Sequence, residues 1–182
     1  MKHKITNRTK NFEGHAFNVE ILDVNLPDGR QRQYDLVDHH NSVTIIPIDD
    51  DGNIYFVKQY RMGSESILLE LPAGVMDERE SPQICAAREI REEIGMAAGQ
   101  LTRIGAVYLA PGYSNELNFI FLARELTEDP PQEDDDEFIS IHAYSPGEIQ
   151  RMIRSGEIKD SKTLAALYLL QLTQPEQPKI AS

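Results

Sequence analysis

The chain has 182 residues, 40% of them hydrophobic and 26% charged, which allows one well-buried core but not two ordinary domains with a linker. Thirty acidic side chains against eighteen basic ones leave a net charge of -12, and no Lys/Arg cluster reverses it locally, so nucleic acid is an unsuitable partner. An anion approaching this surface needs positive charge between itself and the protein, and a divalent cation is the natural candidate.

Residues 1–14 are polar and lack the apolar core of a signal peptide, and no apolar run approaches the roughly 20 residues that span a bilayer. Cys85 is the only cysteine, which excludes an intrachain disulfide and a thiolate cluster. The expectation is a soluble, cytoplasmic protein in which Cys85 is a small buried side chain.

Residues 16–38 read as two extended segments around the turn Pro27-Asp28-Gly29, with Phe17, Val19 and Ile21 alternating with polar residues. A hairpin this short cannot bury its own apolar face, so it is expected to pack on another subunit or on the main domain. A second hairpin is expected from Val43-Thr44-Ile45-Ile46 and Ile54-Tyr55-Phe56-Val57, joined by Asp49-Asp50-Asp51-Gly52. A strand follows at residues 67–71, ended by Pro72. Ser81 and Pro82 then open a helix as N-cap and first helical residue, and Gly95 closes it. Further strands are expected at 104–109, 117–123 and 138–143, and helices at 146–154 and 161–172. The last helix has Leu164, Leu167, Tyr168 and Leu172 at core-facing spacing. Residues 174–182 read as a loose tail. Mixed strands with helices on their faces predict an α/β sandwich.

On a helical wheel of residues 81–94, Ile84, Ala87, Ile90 and Ile94 form one stripe, and Glu89, Glu92 and Glu93 lie opposite, with Arg88 at the edge. Glu89 and Glu93 are like charges at i,i+4, in the half of the helix where its dipole disfavours anions. A helix selected for stability alone would avoid this. A solvated acidic face is the ordinary explanation, and the wider spacing argues against it. Gly74 is followed by Glu80 and then by Arg88-Glu89-Ile90-Arg91-Glu92-Glu93-Ile94-Gly95-Met96, within GVMDERESPQICAAREIREEIGM. This resembles the Nudix box, G-x5-E-x7-R-E-U-x-E-E-x-G-U with U aliphatic, at every fixed position.

The resemblance implies a Nudix fold with an N-terminal β-hairpin extension, and a pyrophosphohydrolase dependent on Mg²⁺, with Mn²⁺ as an alternative. Carboxylates on one helical face suit such hard cations. By the same resemblance, Glu89 and Glu93 are metal ligands with the Ala73 carbonyl. Glu92 and Arg88 are catalytic, Arg88 orienting carboxylates by charge-assisted hydrogen bonds, and Glu80 supports the loop before the helix.

The flanks are similar to the ADP-ribose pyrophosphatase or nucleoside diphosphate sugar hydrolase branch. Gln59-Tyr60-Arg61 precedes Glu70-Leu71-Pro72-Ala73-Gly74, Pro111 lies sixteen residues beyond Gly95, and Gly156-Glu157-Ile158-Lys159-Asp160-Ser161-Lys162-Thr163 resembles the end of these enzymes. The likeness spans roughly Val43 to Leu172. It implies substrate contacts from Arg61, Glu70, Ser114 and Glu116, although Glu70 could equally pair with Arg61 as a structural element. In that branch a loop corresponding to Glu133-Asp134-Asp135-Asp136-Glu137 carries a further metal ligand and the catalytic base. Glu137 matches the ligand and Asp135 the base, with Glu133 or Asp134 as substitutes.

The expected organisation is an N-terminal dimerisation element at 1–41, a Nudix domain at 42–173 and a tail at 174–182. The expected reaction cleaves ADP-ribose or a related nucleoside diphosphate sugar to a nucleoside monophosphate and a sugar phosphate. A homodimer is implied, with no membrane partner. The rival readings are a GDP-mannose-type or other nucleoside diphosphate hydrolase and, from outside the enzymes, a Nudix ligand sensor without turnover. The complete set of box acids argues against the sensor.

Overall fold

The computed structural model describes residues 2–130 and 139–173. Contacts divide the chain into two units, Met1–Asn41 with Tyr108–Leu117, and Ser42–Val107 with Asn118–Ser182.

The first unit is built on an antiparallel sheet of β1 (Lys4–Glu13), β2 (Asn18–Asn25) and β3 (Gln31–Asp38), in the order β1-β2-β3. The expected hairpin is β2–β3, in unbroken register from Asn18↔Asp38 to Asn25↔Gln31. Gly29, at φ 89°, closes its turn by donating to the Leu26 carbonyl. The third strand was not anticipated. Every residue of β1 is exposed, so it lacks the apolar alternation by which strands are read, and its register against β2 shifts near Ile5 and Lys10. Within this unit the 108–117 segment pairs with the end of β3, Val37 donating to the Tyr113 carbonyl at 2.7 Å.

The second unit contains β4 (Ser42–Pro47), β5 (Ile54–Arg61), β6 (Ser66–Glu70), β7 (Ala73–Val75), β8 (Met96–Tyr108), β9 (Leu117–Glu128) and β10 (Ser140–Tyr144), with α1 (Pro82–Ile94), α2 (Pro146–Ser155) and α3 (Ser161–Thr173). Two sheets form, ordered β7-β4-β9-β8 and β10-β5-β6. The expected β4–β5 hairpin is therefore corrected. Its turn exists, with Gly52 donating to the Asp49 carbonyl and Asp49 holding Asn53, but the strands meet only at the bridge Ile48↔Ile54 and then enter different sheets. The neighbours of β4 are β9, in parallel, and β7.

The core has two layers. Ile46, Phe56, Leu69, Leu71 and Ile120 pack with Ile149 of α2 and Ala166, Leu167 and Leu170 of α3. Val43, Ile45, Val57 and Phe121 pack with Cys85, Ala86, Ile90 and Ile94 of α1. This is the expected α/β sandwich, with helices on both sides of the strands. The buried stripe of α3 is Thr163, Ala166, Leu167 and Leu170, whereas Tyr168 and Leu172 are exposed. The helix is apolar nearly all round, so spacing could not choose the face. Among the described residues no helix is long and apolar enough to cross a membrane.

Candidate active site

Helix α1 starts and stops where its end residues dictate. The Ser81 hydroxyl accepts the amide of Ile84, Pro82 occupies the first turn, and Gly95 ends the helix at φ 67° with its amide on the Arg91 and Ile90 carbonyls. Its orientation departs from the wheel reading. Ile84 is 61% exposed and Ala87 is also exposed, whereas Cys85, Ala86, Ile90 and Ile94 are buried together with Glu89 and Glu93. Two carboxylates thus lie on the edge of the core, where ionised groups need compensation. A solvated acidic face is excluded for both, and Glu92 alone of the three glutamates stays at the surface.

Arg88 and a backbone amide contribute to that compensation. Arg88 donates from Nε and Nη2 to the two oxygens of Glu80 (3.1 and 3.0 Å), and from Nη1 to Glu89 Oε1 (2.6 Å) and Glu92 Oε2 (2.9 Å). Its Nη2 also reaches the Val75 carbonyl at 3.2 Å. The Ala73 amide donates to Glu93 Oε2 at 2.9 Å. Glu80 sits in a tight turn with Arg79 at φ 67°, and its Oε2 accepts the Asp77 amide at 3.0 Å. Glu80 therefore ties the loop to the helix, as the family resemblance implied.

These contacts set the charges. The hydrogen bond from Arg88 brings the Glu80 carboxyl down to about 2, against the partial effect of burial. Burial pushes the Glu89 carboxyl up, and Arg88 does not offset it because Glu92 and Glu80 add repulsion. Burial, with the charges of Glu80 and Glu89, raises the Cys85 thiol to about 12. The low Glu80 value has a consequence for acid stability. Its contribution is present above the ordinary value of 4.5 and is lost as pH falls toward about 2. Denaturation midpoints of wild type and Glu80→Gln should therefore differ most at neutral pH and converge across that window.

Gly74 explains the first box position. A Cβ there would lie 1.9 Å from the carboxylate carbon and Oε1 of Glu89, so the carboxylate rests where any other residue would place its side chain. The Glu89 carboxylate packed on Gly74 and the Glu93 carboxylate held by the Ala73 amide flank the same two-residue stretch of β7. No group of three His, Cys, Asp or Glu side chains is arranged to hold a metal ion among the described residues. Carboxylate oxygens of this kind, one of them on a glutamate whose carboxyl burial pushes up, fit a hard divalent cation.

A second cluster borders the box on its N-terminal side. Arg61 Nε and Nη2 donate to Glu70 Oε1 and Oε2 at 2.9 and 2.8 Å. Glu70 is 1% exposed and also accepts from Lys162 Nζ, which in turn pairs with Asp160. Burial alone would push the Glu70 carboxyl up, and the hydrogen bonds and charges of Arg61 and Lys162 outweigh it and hold the carboxyl below its usual range. Glu70 is thus Arg61's structural partner, with both oxygens engaged. Lys162 was not among the expected site residues. It stands 92 positions from Glu70, and the likeness of the 156–163 run to the ends of related enzymes was its only signal.

Ser114 and Glu116 belong to the first unit. Ser114 is buried, and its hydroxyl accepts the Glu116 amide at 3.2 Å, while a Glu116 oxygen lies 3.8 Å from His39 Nδ1. Glu133, Asp134, Asp135 and Glu137 lie outside the described residues.

The model of the NUDIX domain matches residues 38–167. The chain is 34% identical over 179 residues to the ADP-ribose pyrophosphatase of Bacillus subtilis (strain 168), covering 97% of each. It is 32% identical over 165 residues to the methanol dehydrogenase activator of Bacillus methanolicus, covering 90% of this chain and 89% of that one. A solved structure described as an ADP compounds hydrolase superposes with a TM-score of 0.83 at 25% identity, over 95% of this chain and 94% of that one. The box geometry at Gly74 and α1, the family match over most of the chain and the full-length likeness agree: the protein belongs to the NUDIX hydrolase family.

Proposed function

We propose that this protein is a Mg²⁺-dependent pyrophosphohydrolase of ADP-ribose or a closely related nucleoside diphosphate sugar, releasing a nucleoside monophosphate and a sugar phosphate. The observation that carries the reading is the burial of Glu89 and Glu93 against Gly74 and the Ala73 amide. Such an arrangement costs stability unless positive charge is brought to it. The relative named ADP-ribose pyrophosphatase, matched over nearly the whole chain, supports the substrate class.

Enzymes of this family generally depend on a divalent metal ion, and here Glu89, Glu93 and the Ala73 carbonyl would hold it, with Glu137 as a further ligand. When bound, Mg²⁺ or Mn²⁺ supplies charge neutralisation for the diphosphate and acidifies a coordinated water. The protein's own groups do the rest. Arg88 keeps Glu89 and Glu92 oriented. Arg61, with its side chain 40% exposed, offers a planar donor edge to phosphate or ribose oxygens, while Glu70 holds that edge in place. Asp135, or Glu133 or Asp134 in its stead, accepts the proton of the attacking water. Ser114 and Glu116 contact the substrate, and a homodimer places the N-terminal sheet, residues 1–41, beside the partner's nucleoside site. The buried, free Cys85 suits a reducing cytoplasm.

The test is monophosphate release from ADP-ribose, GDP-mannose, UDP-glucose and NADH, with Mg²⁺, with Mn²⁺ and with chelator. ADP-ribose should be hydrolysed best, and chelator should abolish turnover. If ADP-ribose is the poorest substrate, the branch assignment fails. The base is found by comparing Asp135→Asn, Glu133→Gln, Asp134→Asn and Glu137→Gln singly. One of them should lower kcat on the order of 10²-fold or more, the range for loss of a general base, and four near-normal variants would move the base off this loop.

A further inference from the structure

Arg61, Glu70, Lys162 and Asp160 form a chain of alternating charges from β5 to the first turn of α3. The carboxylate in its middle is almost fully buried and receives three donors, two from Arg61 and one from Lys162 Nζ. Asp160 fixes the far end, with Oδ1 2.9 Å from Lys162 Nζ and Oδ2 accepting the Thr163 amide at 2.9 Å. A parallel tie joins the same two elements, as the Leu71 amide donates to the Thr163 hydroxyl at 3.0 Å. The fold thus already has one connection between α3 and the end of β6 that does not involve Lys162.

The ion chain has an asymmetry that a purely structural tie does not need. Lys162 and Asp160 are mostly covered, each with 13% of its side chain exposed, while Arg61 keeps 40%. Its bonds to Glu70 use Nε and Nη2, so that carboxylate leaves Nη1 unengaged. Arg61 also senses the charge of Glu93, on the buried carboxylate face of α1. A guanidinium pinned on one edge and open on the other, within electrostatic reach of that face, is arranged to receive an anion.

We infer that Lys162 is a positioning residue for substrate binding, acting through Glu70 on Arg61; this rests on the assignment of Arg61 to the diphosphate or its ribose. By supplying Glu70 with a second cation from a fixed helix, Lys162 anchors the carboxylate and lowers its hold on Arg61. Without Lys162, Glu70 is balanced by Arg61 alone, the pair closes more tightly, and the guanidinium is less available to the incoming anion.

The experiment is a double-mutant cycle with ADP-ribose and Mg²⁺, reading KM and kcat separately. Lys162→Met should raise KM on the order of tenfold with kcat within about twofold, as expected for lost uniform binding. Arg61→Gln should raise KM further, and adding Lys162→Met to it should change KM no more. Lys162→Arg, which restores the charge, should return KM toward wild type. Thr163→Val loosens the parallel tie without touching Glu70, and should lower the melting temperature while leaving KM unchanged. Should the Met variant not fold, Lys162→Gln takes its place with the same expectation. If Arg61→Gln leaves KM unchanged, the assignment of Arg61 to substrate fails and the inference fails with it. If Arg61→Gln raises KM while Lys162→Met does not, or if the two effects simply multiply, the positioning role alone is overturned.

Discussion

Glu93→Gln should lower kcat at least about 10²-fold, the scale for removing one preorganised electrostatic group from an active site, with little change in melting temperature. The small stability effect follows from the contact it keeps. The Glu93 carboxylate accepts the Ala73 amide, and a glutamine carbonyl oxygen of the same reach accepts it equally well. The substitution therefore leaves the loop seated on the helix and removes only the negative charge. Steady-state kinetics with saturating Mg²⁺, beside a thermal melt, separate the two effects. Turnover within threefold of wild type would show that the buried carboxylate face is not the chemical centre.

Arg88→Met should act in the opposite sense, on stability first. Arg88 holds Glu80, Glu89 and Glu92 at once. The first two are nearly covered, with 9% and 10% of their side chains exposed. Removing the shared cation leaves the buried Glu89 carboxylate without its ion pair and the half-buried Glu80 carboxylate on the Asp77 amide, a loss of about 3–5 kcal/mol by comparison with other broken buried pairs. Part of it returns if Glu89, already raised by burial, takes up a proton. Urea denaturation at pH 7 measures the cost, and a loss below about 1 kcal/mol, the range of an exposed pair, would mean that water replaces the guanidinium.

The sequence carried the ends of α1 fully, because Ser81, Pro82 and Gly95 act through local backbone geometry. It did not carry which face of that helix is buried. A wheel reading assigns carboxylates to solvent, and it cannot register that an Arg at i-1 and a backbone amide twenty residues upstream make two of them tolerable inside. The same limit applied to α3, where Tyr168 and Leu172 sit at core spacing but point outward. Pairing was less legible still. The Asp49–Gly52 turn was correctly read as a turn, yet the strands on either side of it belong to different sheets, a choice made by neighbours far away in sequence. Strand β1, wholly exposed, lacks the alternation that marks a strand and is held by its ladder to β2. Lys162 was invisible as a site residue because an ion pair spanning 92 positions leaves no periodic trace.

Cys85 gives the Arg88 network an unplanned property. Its sulfur is fully buried, donates to the Val75 carbonyl at 3.7 Å and accepts from Arg88 Nη2 at 3.4 Å, and its thiol is held at about 12. At neutral pH such a thiol is almost wholly protonated and sheltered from oxidants and alkylating reagents. It becomes reactive only when α1 and the loop before it part. The one sulfhydryl of the chain is therefore a built-in clock: its labelling rate counts openings of the helix that bears the box carboxylates, and reads them without any substrate.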